Sequence, residues 1–288
     1  MLTFLIPLKS KKTAKSWIET SQLVEKTLQS ICSQTSDRYQ VILVGNDPPD
    51  LHTHFPKLTF LRVDFPSPQQ VFQGDQNSLQ TFRSAADYDR DAKVTYGLLY
   101  IYRHQKTSYV MVVDADDWIS CHLAEFVEQN AQVSAPGMGW FLTSGYRHQV
   151  NSSWVRLMRK GFDRYCGTSM IVRLEGYDFL SQSLDIKLIN RVLQEATLNS
   201  ILKKLTDLYI KKYRHRDIRE TFEKRGHPLS PLPFPGAVYV QHGDNILLGQ
   251  PPSSSKKLTW KIYFWRFKAL MDHRYFAKNL RREFGIDR

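Results

Sequence analysis

The sequence has few cysteines, no long apolar run and no internal repeat. Its three cysteines, Cys32, Cys121 and Cys166, lie far apart in 288 residues and form no Cys-X-X-Cys pair. That excludes a zinc ribbon or thioredoxin-like motif, and the simplest compartment is a reducing one. No stretch approaches 18 uncharged apolar residues, so no membrane span is expected. The apolar start, Met1 to Leu8, is eight residues long, has no cation before it, and is followed by Lys9, Lys11 and Lys12. It makes a poor signal peptide, and the expected location is cytoplasmic, with peripheral attachment at the inner face of a membrane left open. No G-x-G-x-x-G, P-loop or H-E-x-x-H pattern occurs, which leaves dinucleotide, Walker-type and zincin readings without support.

What is present is an ordinary globular composition, 42% apolar and 24% charged, which excludes disorder and collagen-like structure. Lys and Arg number 40 against 28 Asp and Glu, a formal net charge of +12. That excess suits nucleic acid, an anionic membrane surface or an anionic small substrate.

Continuous apolar runs rich in β-formers read as buried strands at Leu2–Leu8, Tyr39–Gly45, Leu58–Val63 and Tyr109–Val113. Ser16 and Glu19 form a capping box that opens a helix with Ile18, Leu23, Val24, Leu28 and Ile31 on one face. A polar loop is expected over Asp64–Ser84, and helices over Tyr88–His104 and Cys121–Gln132. Unbroken apolar strands alternating with helices predict an α/β sheet, mostly parallel and covered on both faces. Further strands are expected at Trp140–Val150, Trp154–Met158, Thr168–Arg173 and Ala237–Val240. Leu180–Tyr213 and Asp217–Lys224 read as helical, and Pro228–Pro235 as extended.

The densest chemistry is Asp114-Ala115-Asp116-Asp117. Three carboxylates within four residues repel one another unless a cation neutralises them or solvent surrounds them. These follow Val-Met-Val-Val, so they lie at the carboxyl end of a buried strand, where α/β sheets bind ligands. Hard oxygen donors there suit Mg²⁺ or Mn²⁺ with positions kept open for phosphates. A solvated turn that caps the next helix explains the same residues equally well.

Four segments in order resemble family-2 glycosyltransferases of the GT-A fold: Leu5-Ile6-Pro7; Thr27–Thr35 followed by Tyr39–Asp47; Val112–Trp118; and Tyr239–His242. The resemblance covers about residues 2–130 well and 235–245 moderately. It implies a GT-A-type mostly parallel sheet flanked by helices, with a Rossmann-like nucleotide-binding half over 1–130 and an acceptor half over 131–250. It also implies transfer of a sugar from a nucleotide-sugar donor, a UDP-sugar foremost, to a saccharide or lipid-linked acceptor. By position, Pro7 would meet the nucleobase and Asp47 would accept a hydrogen bond from it. Asp114 would face the ribose or a metal-bound water. Asp116 and His242 would hold the metal, Mn²⁺ or Mg²⁺. Arg90 and Lys93 would reach the diphosphate; a solvated charged helix face is the plainer reading of both.

An inverting transfer needs a general base. The Glu-Asp pair usual in the family is missing before the helix that ends at Gly226. His215 and Asp217 occupy its neighbourhood, and Asp163, Glu175 and Asp178 are further candidates. Cys166–Val172 resembles the family's strand bordering the acceptor, whose small residues would let a sugar approach the backbone; a packed strand start explains it equally well. Trp140, Tyr146 and Trp154 offer sugar-stacking faces, with core packing the default for each.

From Lys256 to Arg288 there are ten Lys and Arg against three Asp and Glu. Aromatics recur there every three to four residues, which predicts, after a linker at Pro251–Ser255, a basic amphipathic C-terminal helix. It either docks on the catalytic domain or lies on an anionic membrane. Two other functions compete. A sugar-phosphate nucleotidyltransferase would carry a Gly-rich loop after the first strand, where Pro7–Lys12 has no glycine. A basic nucleic-acid binder would carry a recognisable motif, and none is present, so no nucleic-acid partner is expected.

Overall fold

The computed structural model describes residues 1–66, 79–104, 107–131, 137–182, 185–242 and 272–287. The predicted α/β sheet is there. Seven strands form the main sheet in the order β10-β6-β9-β4-β1-β2-β3. They are β1 (Leu2–Pro7), β2 (Tyr39–Gly45), β3 (Leu58–Arg62), β4 (Tyr109–Val112), β6 (Gly139–Phe141), β9 (Met170–Arg173) and β10 (Ser230–Pro231). The pairs β4-β1-β2-β3 and β10-β6 are parallel; β9 runs antiparallel between β4 and β6. All six residues of β1 are buried, as a strand covered on both faces requires.

Helix α1 (Trp17–Ile31) begins as its capping box predicts, with Ser16 Oγ accepting from the Glu19 amide at 3.2 Å. Helix α2 (Leu79–His104) starts nine residues earlier than expected; the polar stretch before Tyr88 hides it because no apolar periodicity marks its first turns. The expected loop is correspondingly shorter, and residues 67–78 of it lie outside those described.

Other expectations change in detail. The strand expected over Trp140–Val150 is two, β6 and β7 (Gly145–Gln149), in different sheets. Gly145 sits at the start of β7, where a Cβ would stand 2.5 Å from the Phe162 ring. After α3 (Leu123–Asn130) and α4 (Phe162–Tyr165), the helical stretch Leu180–Tyr213 is broken into α5 (Phe179–Gln182), α6 (Ile186–Glu195) and α7 (Ser200–Tyr213). Ala196 ends α6 at φ 47°, a left-handed position with no glycine to announce it.

A second sheet has the order β12-β8-β7-β11-β5, formed by β5 (Trp118–Ile119), β7, β8 (Trp154–Met158), β11 (Ala237–Gln241) and β12 (His273–Tyr275). Here the C-terminal expectation is corrected. Residues 256–271 lie outside those described, but 272–287 do not continue a single basic helix. They form β12, which adds to β8, and a six-residue helix over Lys278–Glu283. Phe276 and Phe284 are buried in an apolar cluster with Trp118, Tyr146, Val155, Leu157, Val238 and Val240. The segment therefore docks. Phe284→Ala is expected to destabilise the chain by about 3–5 kcal/mol, read as a lower denaturation midpoint. No helix among the described residues is long and apolar enough to cross a membrane.

Candidate active site

The parallel order β2-β1-β4 brings three carboxyl ends side by side. Pro7 closes β1 opposite Val44, Asp47 follows β2, and Asp114 follows β4. Asp47 Oδ2 accepts from the Lys11 amide at 2.9 Å, which ties together the loops after β1 and β2.

Helix α1 holds the acidic turn from one side. Thr27 Oγ1 donates to the Ala115 carbonyl at 3.1 Å, and Ser30 Oγ donates to the Ile119 carbonyl at 3.0 Å and accepts the Ile119 amide at 2.8 Å. Gln34 Nε2 donates to the Ser120 carbonyl at 2.9 Å. Thr27 and Ser30, three residues apart, share one helix face, so a polar pair on the buried side of α1 was the signal available in the sequence; Gln34 lies just past the helix end.

The three carboxylates divide the work. Asp117 is fully buried. It accepts from Thr168 Oγ1 at 2.6 Å, Cys166 Sγ at 3.2 Å and the Val240 amide at 3.0 Å. It thereby joins the acidic turn to the segment just before β9 and to β11. Burial first, then the charges of Asp116 and Asp114, pushes its pKa well above the usual carboxylate range. Thr168 also accepts the Asp114 amide at 2.9 Å, so Asp117 sets the backbone of Asp114 indirectly.

Asp114 takes a two-pronged grip from Arg90, with Nε at 2.8 Å and Nη2 at 2.7 Å from Oδ1. Arg90 Nη1 reaches Asp91 Oδ1 at 3.1 Å, and Arg214 Nε and Nη2 hold Asp91 Oδ2 at 2.6 Å. Burial works against the Arg90 charge, but Asp114 and Asp91 outweigh it and raise its pKa. A Cβ on Gly167 would stand 2.4 Å from Asp114 Oδ2 and 3.0 Å from Arg90 Nη2. The space that its missing side chain leaves is thus filled by this ion pair.

Asp116 and His242, 126 residues apart, meet at 2.6 Å between Oδ2 and Nε2. Their side chains are 24% and 13% exposed, so the pair is sheltered yet reachable. Among the described residues no group of three or more His, Cys, Asp or Glu is placed to hold a metal ion. Two donors of this kind still fit Mg²⁺ or Mn²⁺, which take most of their ligands from phosphates and water.

Lys93, expected to reach a diphosphate, is instead fully buried and paired with Asp89 at 2.6 Å. Burial lowers its pKa and Asp89 opposes that. It is not a solvated helix face either. His215 lies in the turn between α7 and α8 (Ile218–Lys224). Its Nε2 is buried with no hydrogen-bond partner. Burial, followed by the charge of Arg90, lowers its pKa to about 4 against an opposing pull from Asp114. Asp217 is exposed at the start of α8 and makes no capping bond.

The other base candidates are tied up elsewhere: Asp163 by Arg219 at 2.6 Å, Glu175 by Arg173 at 2.8 Å, and Asp178 by Arg225 at 2.7 Å and by the Tyr213 hydroxyl. Trp140 and Tyr146 are buried in the core, whereas Trp154 is 53% exposed.

The His215 shift has a stability consequence. An unfolded histidine titrates near pH 6.5, so between about pH 4 and 6.5 the unfolded chain binds the extra proton. The associated stability is present above that window and is lost as pH falls through it. His215→Gln should flatten the fall in melting temperature between pH 7 and 4.5. Part of the fall should remain through His148, whose pKa burial also lowers.

No family model matches the sequence, and no curated protein matches it. Among solved structures, S. aureus TarS 1-349 is similar at 10% identity and a TM-score of 0.38, with 83% of this chain and 60% of that chain covered. S. aureus TarS 1-349 in complex with UDP-GlcNAc is similar at 12% identity and a TM-score of 0.39, with 94% and 66% covered. A Francisella tularensis 2-C-methyl-D-erythritol 4-phosphate cytidylyltransferase is similar at 12% identity and a TM-score of 0.39, with 93% and 99% covered. The chain thus spans about 60% of the length of the first of these. Likeness at this level assigns no activity.

Proposed function

We propose that the chain is a metal-dependent glycosyltransferase that moves a sugar from a nucleoside-diphosphate sugar to an acceptor hydroxyl. One observation carries this reading. Asp116 and His242, paired as metal ligands through the motif resemblance alone, stand 2.6 Å apart although 126 residues separate them. They do so at the carboxyl end of the parallel strands, where α/β sheets place ligands.

A Mn²⁺ or Mg²⁺ ion held by Asp116 and His242 would neutralise the charge that develops on the leaving diphosphate. Asp47, at the end of β2, accepts a hydrogen bond from the base, beside Pro7. Arg90, anchored from behind by the buried Asp91, keeps a fixed guanidinium at the diphosphate. Asp114 is held by that same guanidinium and faces the ribose. Lys93 is engaged by Asp89, one turn earlier on the same helix.

His215 takes the acceptor proton on its unpartnered Nε2 in this reading. Its low pKa leaves it unprotonated in the physiological range and, without a further charge nearby, a weak base. A bound diphosphate adds negative charge and raises its basicity. Asp217, out in solvent, is the lesser candidate. His215→Gln that kept donor binding yet lowered kcat and kcat/KM together would support the assignment; unchanged kcat would remove it. The experiment for the function itself is release of nucleoside diphosphate from UDP-sugars with and without Mn²⁺.

A further inference from the structure

The second sheet has an unbalanced charge. No Asp or Glu occurs in any of its five strands, whereas Arg147, Arg156 and Arg274 do. Register sets its cations in line. Tyr239 pairs with Arg147, Arg147 with Arg156, and Arg156 with His273. Directly paired residues share a face, so one row runs across four strands. At ~4.8 Å per strand it extends about 14 Å.

The row starts beside the acidic turn. The Tyr239 ring packs edge-on against Tyr165 at 5.2 Å, and the amide of the next residue, Val240, is bonded to Asp117. Arg147 lies 5.8 Å over the Tyr165 ring and donates through Nε to Gln241. Arg156 has a buried Nε with no hydrogen-bond partner. Among the described residues neither arginine makes an ion pair. Both residues are half-buried, and partly buried guanidinium groups without a counter-charge leave room for an anionic partner. At the outer end, on the same face, Trp154 pairs with Tyr275. The rings lie 6.0 Å apart, edge to face, and are 53% and 59% exposed. Large apolar groups left open at the end of a cationic track suit a flat ligand face.

We propose that this face binds an extended anionic saccharide acceptor, with phosphate or another acidic group on Arg147 and Arg156 and a sugar ring stacked on the Trp154–Tyr275 pair. It rests on the transferase reading and names the acceptor class of that same site. A neutral acceptor would leave the arginines uncompensated. The binding needs no donor and no metal, so it is measurable apart from them.

The test is fluorescence anisotropy of the full chain with labelled dextran sulfate, and with unlabelled uncharged dextran as competitor. Arg147→Gln with Arg156→Gln should weaken dextran sulfate binding by at least about tenfold, as should Trp154→Ala with Tyr275→Ala. Lys203→Gln with Lys204→Gln, an equal charge loss on an exposed part of α7, should leave it unchanged. Equal weakening by the lysine pair would mean net charge alone and would overturn the proposal, as would full competition by uncharged dextran. Tighter binding to vesicles with 30% anionic lipid, lost in the Trp154 and Tyr275 variant, would make this a membrane face and overturn it too. The UDP- and Mn²⁺-dependent thermal shift of the arginine variant separates the two readings. A retained shift with lost polyanion binding supports both. No shift in any variant or in the parent defeats the transferase and leaves the polyanion result to stand or fall by itself.

Discussion

Asp116→Ala is expected to lower sugar transfer by about 10³-fold or more, the loss of roughly 4 kcal/mol of charge stabilisation at the leaving diphosphate. Folding should be nearly untouched. The side chain is 24% exposed and its imidazole partner is reachable by water, so no unpaired group is buried by the change. Excess Mn²⁺ should not restore the rate, because the variant keeps only His242. His242→Ala should behave in the same direction with a smaller loss, since the remaining carboxylate is the harder donor for such a cation. Rates with a matched donor, set beside unchanged melting temperatures, check this. An Asp116→Ala enzyme with full turnover would remove the pair from the chemistry.

One residue further along, the expectation reverses. Asp117→Ala should cost about 3 kcal/mol or more of stability, because it removes the acceptor of the Val240 amide and of the Thr168 hydroxyl proton together in a fully buried place. Asp117→Asn should cost much less. Its amide oxygen still accepts, and burial already raises the pKa of the acid toward the neutral form. Where Asp117→Ala folds at all, its activity should fall because Thr168 no longer fixes the Asp114 backbone. Urea unfolding of the three proteins decides it: equal midpoints for Asp117→Ala and the parent would contradict the structural role.

These neighbouring carboxylates show where sequence reasoning reaches and where it stops. The apolar runs of β1, β2 and β4 and the capping box at Ser16 are local signals, and the structure follows them closely. The acidic cluster is legible as a cluster. The Asp116–His242 pair was legible only through the motif resemblance, and the division of the other two into a buried anchor and an arginine-held carboxylate was not legible at all. That division depends on Thr168, Val240 and Arg90, which only the sheet order assembles. Asp91 and Arg214, 123 residues apart, left no trace in any periodicity. The split of Trp140–Val150 between two sheets was hidden as well, because both halves have the same β-forming character. Docking of the C-terminal segment was one of two open readings, because an amphipathic aromatic stripe fits equally well whether it meets lipid or an apolar cluster of the chain itself.

Thermal shift with UDP, with and without Mn²⁺, on the parent and on Asp116→Ala, tests the central claim most directly. At a nucleotide concentration about a hundredfold above Kd, binding adds ~2.7 kcal/mol, or about 5 °C for a chain of this size. The account predicts that shift in the parent only when nucleotide and metal are both present, and its loss in Asp116→Ala. A shift produced by UDP alone, equal in both proteins and indifferent to Mn²⁺, would contradict it.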